Sequence, residues 1–162
     1  VTGALRSVNV PTYPDTDDLL DRPAALEPAI MVDTAHFARA AGHRRAQNMV
    51  TVGAASSMLD FEEDRMLAFV EKLFARKGEK LVKVNQRAFR FGRLAGQFFR
   101  TLAEAGMDKR AALDLVNKFD PETIDNAYAE AWAEAVETKV VSIDQVLAED
   151  GAVTCGRIAE AA

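Results

Sequence analysis

Apolar residues recur at steps of three and four through the centre of the chain. Leu81, Val84, Ala88, Phe91, Ala95, Phe98 and Leu102 form one such seam, the spacing that gathers side chains on one face of an α-helix. It predicts a helix over residues 79–105, ended by Gly106. Phe89 and Phe99 widen the seam enough to meet more than one neighbour. Before it, Met66, Phe69, Val70, Leu73 and Phe74 share a face of a helix that Lys77 and Gly78 close. Asp60, with Glu63 three residues on, is the expected capping box of that helix. A short helix is predicted over residues 108–119. Asp120, Pro121 and Glu122 then open another, lined by Ile124, Tyr128, Ala131, Trp132 and Ala135 as far as Val136. Beyond Lys139 the pattern weakens to a short strand at Val140 and Val141 and a helical turn from Ser142 or Asp144.

Residues 46–59 break the amphipathic rule, because they carry no charge at all. A helix without a polar stripe is expected to be buried on all sides. Gly53, Ala54, Ala55, Ser56 and Ser57 keep it thin. A glycine inside a helix costs about 1 kcal/mol against alanine, and a closely packed partner is the expected offset. Upstream, four of the five prolines lie at positions 11, 14, 23 and 28. Proline fixes φ and lacks a donor, so this stretch is expected to be irregular after a strand over residues 6–10. Asp15, Asp17, Asp18 and Asp21 make it acidic. Without the glycine and glutamate of a calcium loop they read as a solvated loop or helix cap rather than a metal cage. The apolar run of residues 29–33 fits a buried strand. It leads into a helix over residues 35–41, with Asp33 or Thr34 as N-cap and Gly42 as the stop. The fold class is then α/β, mostly α in this chain. Two strands cannot stand alone as a sheet, so they read as the end of a sheet whose earlier strands lie upstream of Val1.

Composition narrows the functions. The chain has 162 residues, 49% of them apolar and 28% charged, which fits a folded domain rather than a disordered chain. A net charge of −5 excludes a nucleic-acid partner, which needs a positive field. No run of 18 apolar residues occurs, so no membrane span is expected. One cysteine, Cys155, allows no internal disulfide and no Cys-x-x-Cys metal site. With no signal peptide it suits the cytoplasm. Arg157 lies close to Cys155, yet a plain free thiol is the simpler reading. His36 and His43 lack metal-ligand spacing and read as surface or capping residues. Ser56 and Ser57 lack a nucleophile elbow, and no phosphate-cradling glycine loop is present.

One electrostatic pattern stands out. Between Glu79 and Glu104 lie Lys80, Lys83, Arg87, Arg90, Arg93 and Arg100 and no acid. Lys83, Arg87 and Arg90 share a helical face. Unmatched positive charge there is suited to an anionic ligand or an acidic partner surface. The alternative is a solvated face compensated by some of the chain's 25 acids.

Two blocks carry a family resemblance. Residues 42–54, GHRRAQNMVTVGA, are similar to the "GN…NMVxLGA" block of the gamma domain of 2-oxoacid:ferredoxin oxidoreductases. Residues 85–95, NQRAFRFGRLA, resemble the "N-x-x-A-F-x-x-G" block that follows in that domain. The version here, with Arg93, Leu94 and Ala95 after the glycine, looks most like the indolepyruvate branch. Residues 1–14 resemble the strand and proline-rich turn that precede these blocks.

The resemblance implies a Rossmann-like gamma domain, of which residues 1–105 are the C-terminal part and residues 106–162 a helical extension. In that family the enzyme decarboxylates a 2-oxoacid, passes electrons to ferredoxin and forms an acyl-CoA. Thiamine diphosphate, magnesium and iron–sulfur clusters are expected in partner subunits or domains, none in this chain, within a hetero- or homo-oligomer. Asn48 is then expected to cap the thin helix, Gly53 to permit close packing, and Asn85, Phe89 and Gly92 to fix the long helix. Lys83, Arg87 and Arg90 become candidate contacts for CoA phosphates or a partner's acids. Two other readings stay open: a helical adaptor with no enzyme attached, and a parent polypeptide that carries the thiamine and cluster sites itself.

Overall fold

A computed structural model of the chain describes residues 15–118 and Pro121. Six α-helices make up its regular structure: α1 (Thr16–Ala24), α2 (Thr34–Ala40), α3 (Gln47–Ser56), α4 (Glu63–Phe74), α5 (Glu79–Glu104) and α6 (Lys109–Lys118). Short 3₁₀ turns at Arg44–Ala46 and Ala75–Lys77 lead into α3 and out of α4.

α5 is the axis of the fold. Ala88, Phe91, Ala95, Phe98, Phe99 and Leu102 of α5 are buried with Phe37 and Ala38 of α2, Val50 and Ala54 of α3, and Leu113, Leu115 and Val116 of α6. The seam read from the sequence is thus the centre of one core, and Phe99 widens it as expected. α6, beyond the boundary expected at residue 105, contributes to the same core. A second, smaller cluster joins Leu67 and Val70 of α4 to Phe89.

Helix ends follow local chemistry. The Asp33 carboxylate accepts from the Ala35 and His36 amides at 2.9 and 3.0 Å, so Asp33 is the N-cap of α2. α2 stops at Gly42, whose φ is +102°. The His43 amide donates to the Ala38 carbonyl and the Gly42 amide to the Arg39 carbonyl, the paired bonds of a left-handed C-terminal cap. Gly106 ends α5 in the same way, with the Met107 amide donating to the Leu102 carbonyl.

Several expectations are corrected. Among the described residues there is no strand, so the end of a Rossmann-like sheet is not seen; the strand expected at residues 6–10 lies outside them. Residues 29–33 form no strand. Met31 and Val32 are buried as an irregular segment in the helical core instead. The acidic stretch is not a loop but α1. Pro23 lies within its last turn, and Asp15 caps it by accepting from the Asp17 amide at 2.8 Å, the helix-cap role expected of this stretch. Asp60 does not cap α4. The N-cap is Glu62, without a side-chain bond, and Glu63 reaches the arginines of α5 rather than back to its own helix. α3 is not buried on all sides: Val50, Gly53, Ala54 and Ser56 are buried, whereas Asn48, Val52 and Ala55 are exposed. Absence of charge marks a helix that tolerates burial, and here its neighbours cover only one face. The helices expected from Asp120 to Val136 and the strand at Val140 lie outside the described residues.

Candidate functional site

α3 and α5 cross at backbone contact. A Cβ placed on Gly53 would stand 2.0 Å from the Phe89 carbonyl oxygen and 2.9 Å from the Arg93 nitrogen. One on Gly92 would stand 2.1 Å from the Val50 carbonyl oxygen. Gly96 completes the set, with the Ser57 Oγ at 2.7 Å and the Ala54 carbonyl oxygen at 3.0 Å from such an atom. No side chain fits between these helices at any of the three positions. The Phe89 ring is fully buried on the α4 side of the crossing. Gly96 was absent from the sequence reading, although it lies four residues after Gly92 and so on the same face.

The end of α3 is held by α5. A helix leaves its last carbonyls without partners, and two arginines seven residues apart supply them. Arg93 Nη1 donates to the Ser56 carbonyl at 2.9 Å and to the Ser56 Oγ at 3.0 Å, and its Nη2 donates to the Phe61 carbonyl at 3.2 Å. Arg100 Nη1 donates to the Ser57 carbonyl at 2.6 Å. The serine hydroxyls turn back on the helix: Ser56 Oγ donates to the Gly53 carbonyl and Ser57 Oγ to that of Ala54. The sequence reading takes Arg93 as charge and as part of a family block, and Arg100 only as charge. Their seven-residue spacing on the glycine face was the available signal.

On the basic face of α5, Lys83 and Arg90 meet acids, in keeping with the compensated face that the sequence left as one of two readings. Lys83 pairs with Glu79 at 2.6 Å. The Lys83 ammonium holds the Glu79 carboxyl below its ordinary range by hydrogen bond and charge, and Glu79 raises Lys83 in return. Arg90 Nε donates to Glu63 at 3.1 Å. The Arg87 guanidinium lies over the Phe91 ring, 5.1 Å from its centre.

Asn48 and Asn85 meet elsewhere. Asn48 does not cap α3: the N-cap is Ala46, without a side-chain bond, and Asn48 lies inside the first turn. Asn85 is buried and its Nδ2 donates to the Leu81 carbonyl at 2.7 Å. Both line a cavity of about 500 Å³ where the 3₁₀ turn before α3 faces the end of α4 and the start of α5. His43, Arg45 and Lys77 also border it, over apolar side chains that include Met49, Phe74 and Val84. His43 keeps a capping role, accepting through Nδ1 from the Arg45 amide at 3.1 Å. His36 packs edge-on to Phe37.

A second hollow, about 740 Å³, opens between α1 and α6. Its cations have partners: Arg110 contacts Asp17 at 2.7 Å and Asp21 at 2.9 Å, and Lys109 contacts Glu27. The Asp17 carboxylate raises the Arg110 pKa through its hydrogen bond, against some burial. Of the four acids, Asp15 is therefore a cap and Asp17 and Asp21 are ion-pair partners.

Residues 9–95 match the family model of pyruvate ferredoxin/flavodoxin oxidoreductase. The match spans more than half of the chain, which belongs to that family, the 2-oxoacid:ferredoxin oxidoreductases. Neither a curated protein nor a solved structure matches the chain. Among the described residues no helix is long and apolar enough to cross a membrane.

Proposed function

We propose that this chain is a gamma-type component of a thiamine-dependent 2-oxoacid:ferredoxin oxidoreductase, on the indolepyruvate branch, and that its work is assembly with the partners that carry the chemistry. The family match over residues 9–95 carries the reading, because members of this family work as multi-subunit or multi-domain enzymes. Thiamine diphosphate, with magnesium, supplies the carbanion stabilisation of 2-oxoacid decarboxylation when bound by those partners. The residues of this chain shape and position.

Exposed apolar side chains support the reading. Met58, Leu59 and Phe61 follow α3, and Phe69 and Leu73 stand one helical turn apart on α4 at 57% and 65% exposure. Apolar groups of this size, left in water on a folded chain, suit a partner surface. α4 therefore does not bury the whole stripe read from its sequence: Leu67 and Val70 go inward, and Phe69 and Leu73 point out.

The test is co-purification of the native complex with its cofactors measured. Thiamine diphosphate and iron–sulfur clusters are expected in the partners, and a complex lacking both overturns the reading. Steady-state ferredoxin reduction then assigns the branch. A higher kcat/KM for indolepyruvate than for pyruvate is expected, and the reverse order removes the indolepyruvate assignment.

A further inference from the structure

Two cationic groups without carboxylate partners lie off the face that the sequence pointed to. Lys83 and Arg90 are each bonded to an acid. At the cavity beside α3 the balance is different. Among the described residues neither the Arg45 guanidinium nor the Lys77 ammonium meets a carboxylate; Lys77 lies 5.4 Å from the centre of the Phe74 ring. No aspartate or glutamate lines that cavity. His43 spends Nδ1 on the Arg45 amide, which leaves Nε2 as its remaining polar atom.

We infer that this cavity is a binding site for a small organic anion with an apolar body. Arg45 and Lys77 supply the charge that holds its carboxylate or phosphate, and Met49, Phe74 and Val84 receive the body. A volume of about 500 Å³ is in the range of small-molecule sites, which are mostly apolar with a few convergent polar groups. Arginine suits either headgroup because its fork matches two oxygens at once. Asn85 adds specificity. One N–H of its Nδ2 is held by the Leu81 carbonyl, which leaves the second N–H and the side-chain oxygen to hydrogen-bond the ligand. The site stands on charge and shape within this chain and does not require the assembly role to hold.

Three probes of one shape test it on the full 162-residue chain: 1-naphthylacetate, 1-naphthyl phosphate and the neutral 1-naphthalenemethanol. Binding is followed by titration calorimetry and by the Asn48 and Asn85 side-chain amide resonances. Either anion is expected to bind at least about tenfold more tightly than the alcohol and to move both resonances. Whichever anion binds better names the headgroup. Arg45→Gln with Lys77→Gln is expected to remove that preference, and since both residues are exposed the fold is retained, as circular dichroism checks. Arg90→Gln, outside the cavity, is expected to change nothing. Equal binding of the alcohol, unmoved Asn48 and Asn85 resonances, or an unaffected double variant each overturns the site.

Discussion

α5 meets α3 and α4 in different ways. Towards α3 it presents Gly92 and Gly96, and the helices touch backbone to backbone around Gly53. Towards α4 it presents Phe89, which packs on Leu67 and Val70, with Met66 and Phe74 at the margin. A side-chain contact can relax when altered, because rotamers shift and a cavity collapses in part. A backbone contact has no such freedom. The crossing of α3 and α5 is therefore the intolerant part of the fold, and the α4 flank the forgiving one.

Substitution at the crossing should have the largest effect. Gly92→Ala or Gly53→Ala drives a methyl into a carbonyl oxygen, and a loss at or above about 3 kcal/mol is expected. Chemical denaturation should show a chain that is unfolded or barely folded. If either variant keeps the wild-type midpoint, the two flanks do not differ. On the other flank, Leu67→Ala opens a cavity in a small cluster, and a loss near the low end of the usual range, about 2 kcal/mol, is expected in the same measurement. Arg93→Met removes the donors of the Ser56 and Phe61 carbonyls. About 1 kcal/mol is expected from leaving the half-buried Ser56 carbonyl unmet, the exposed Phe61 carbonyl being free to take water, together with faster hydrogen exchange in residues 56–62.

Two further changes should leave stability alone. Phe69→Glu with Leu73→Glu alters exposed positions, and a shift within about 0.5 kcal/mol is expected. The same variant should fail to co-purify with the partners, which separates the role of α4 outward from its role inward. The Glu79–Lys83 pair gives the smallest effect. Glu79 is held below its ordinary pKa, so the pair contributes fully above that value and fades as pH falls through the lowered one. Both groups are exposed, and Lys83→Met should leave the thermal midpoint unchanged at neutral and at acid pH.

How much of this could be read in the sequence depends on the interaction involved. The seam of α5 was legible because period and burial coincide there. The Asp33 cap and the Gly42 stop were legible because each acts within a few residues. Gly53 and Gly92 could be singled out from family-like blocks, while their mutual contact joins positions 39 residues apart in the chain and no local pattern encodes it. α1 was not legible because the prolines at 11, 14, 23 and 28 argue against regular helix, whereas the last turn of α1 accommodates Pro23. Residues 29–33 were misread as a strand because burial of Met31 and Val32 looks the same whether the partner is a sheet or a helix. Compensation of the basic face was legible in part: Glu79 lies one turn before Lys83, whereas Glu63 comes from α4 and only the fold places it beside Arg90.

The clamp of Arg93 and Arg100 on the last turn of α3 has a consequence for how partners join. The carbonyls of Ser56, Ser57 and Phe61 are tied to α5, so the bend that displays Met58, Leu59 and Phe61 is anchored at both ends before any encounter. A greasy loop that must freeze on docking gives up part of its binding energy as lost freedom. Here that ordering is already done during folding, and association meets a surface set in advance.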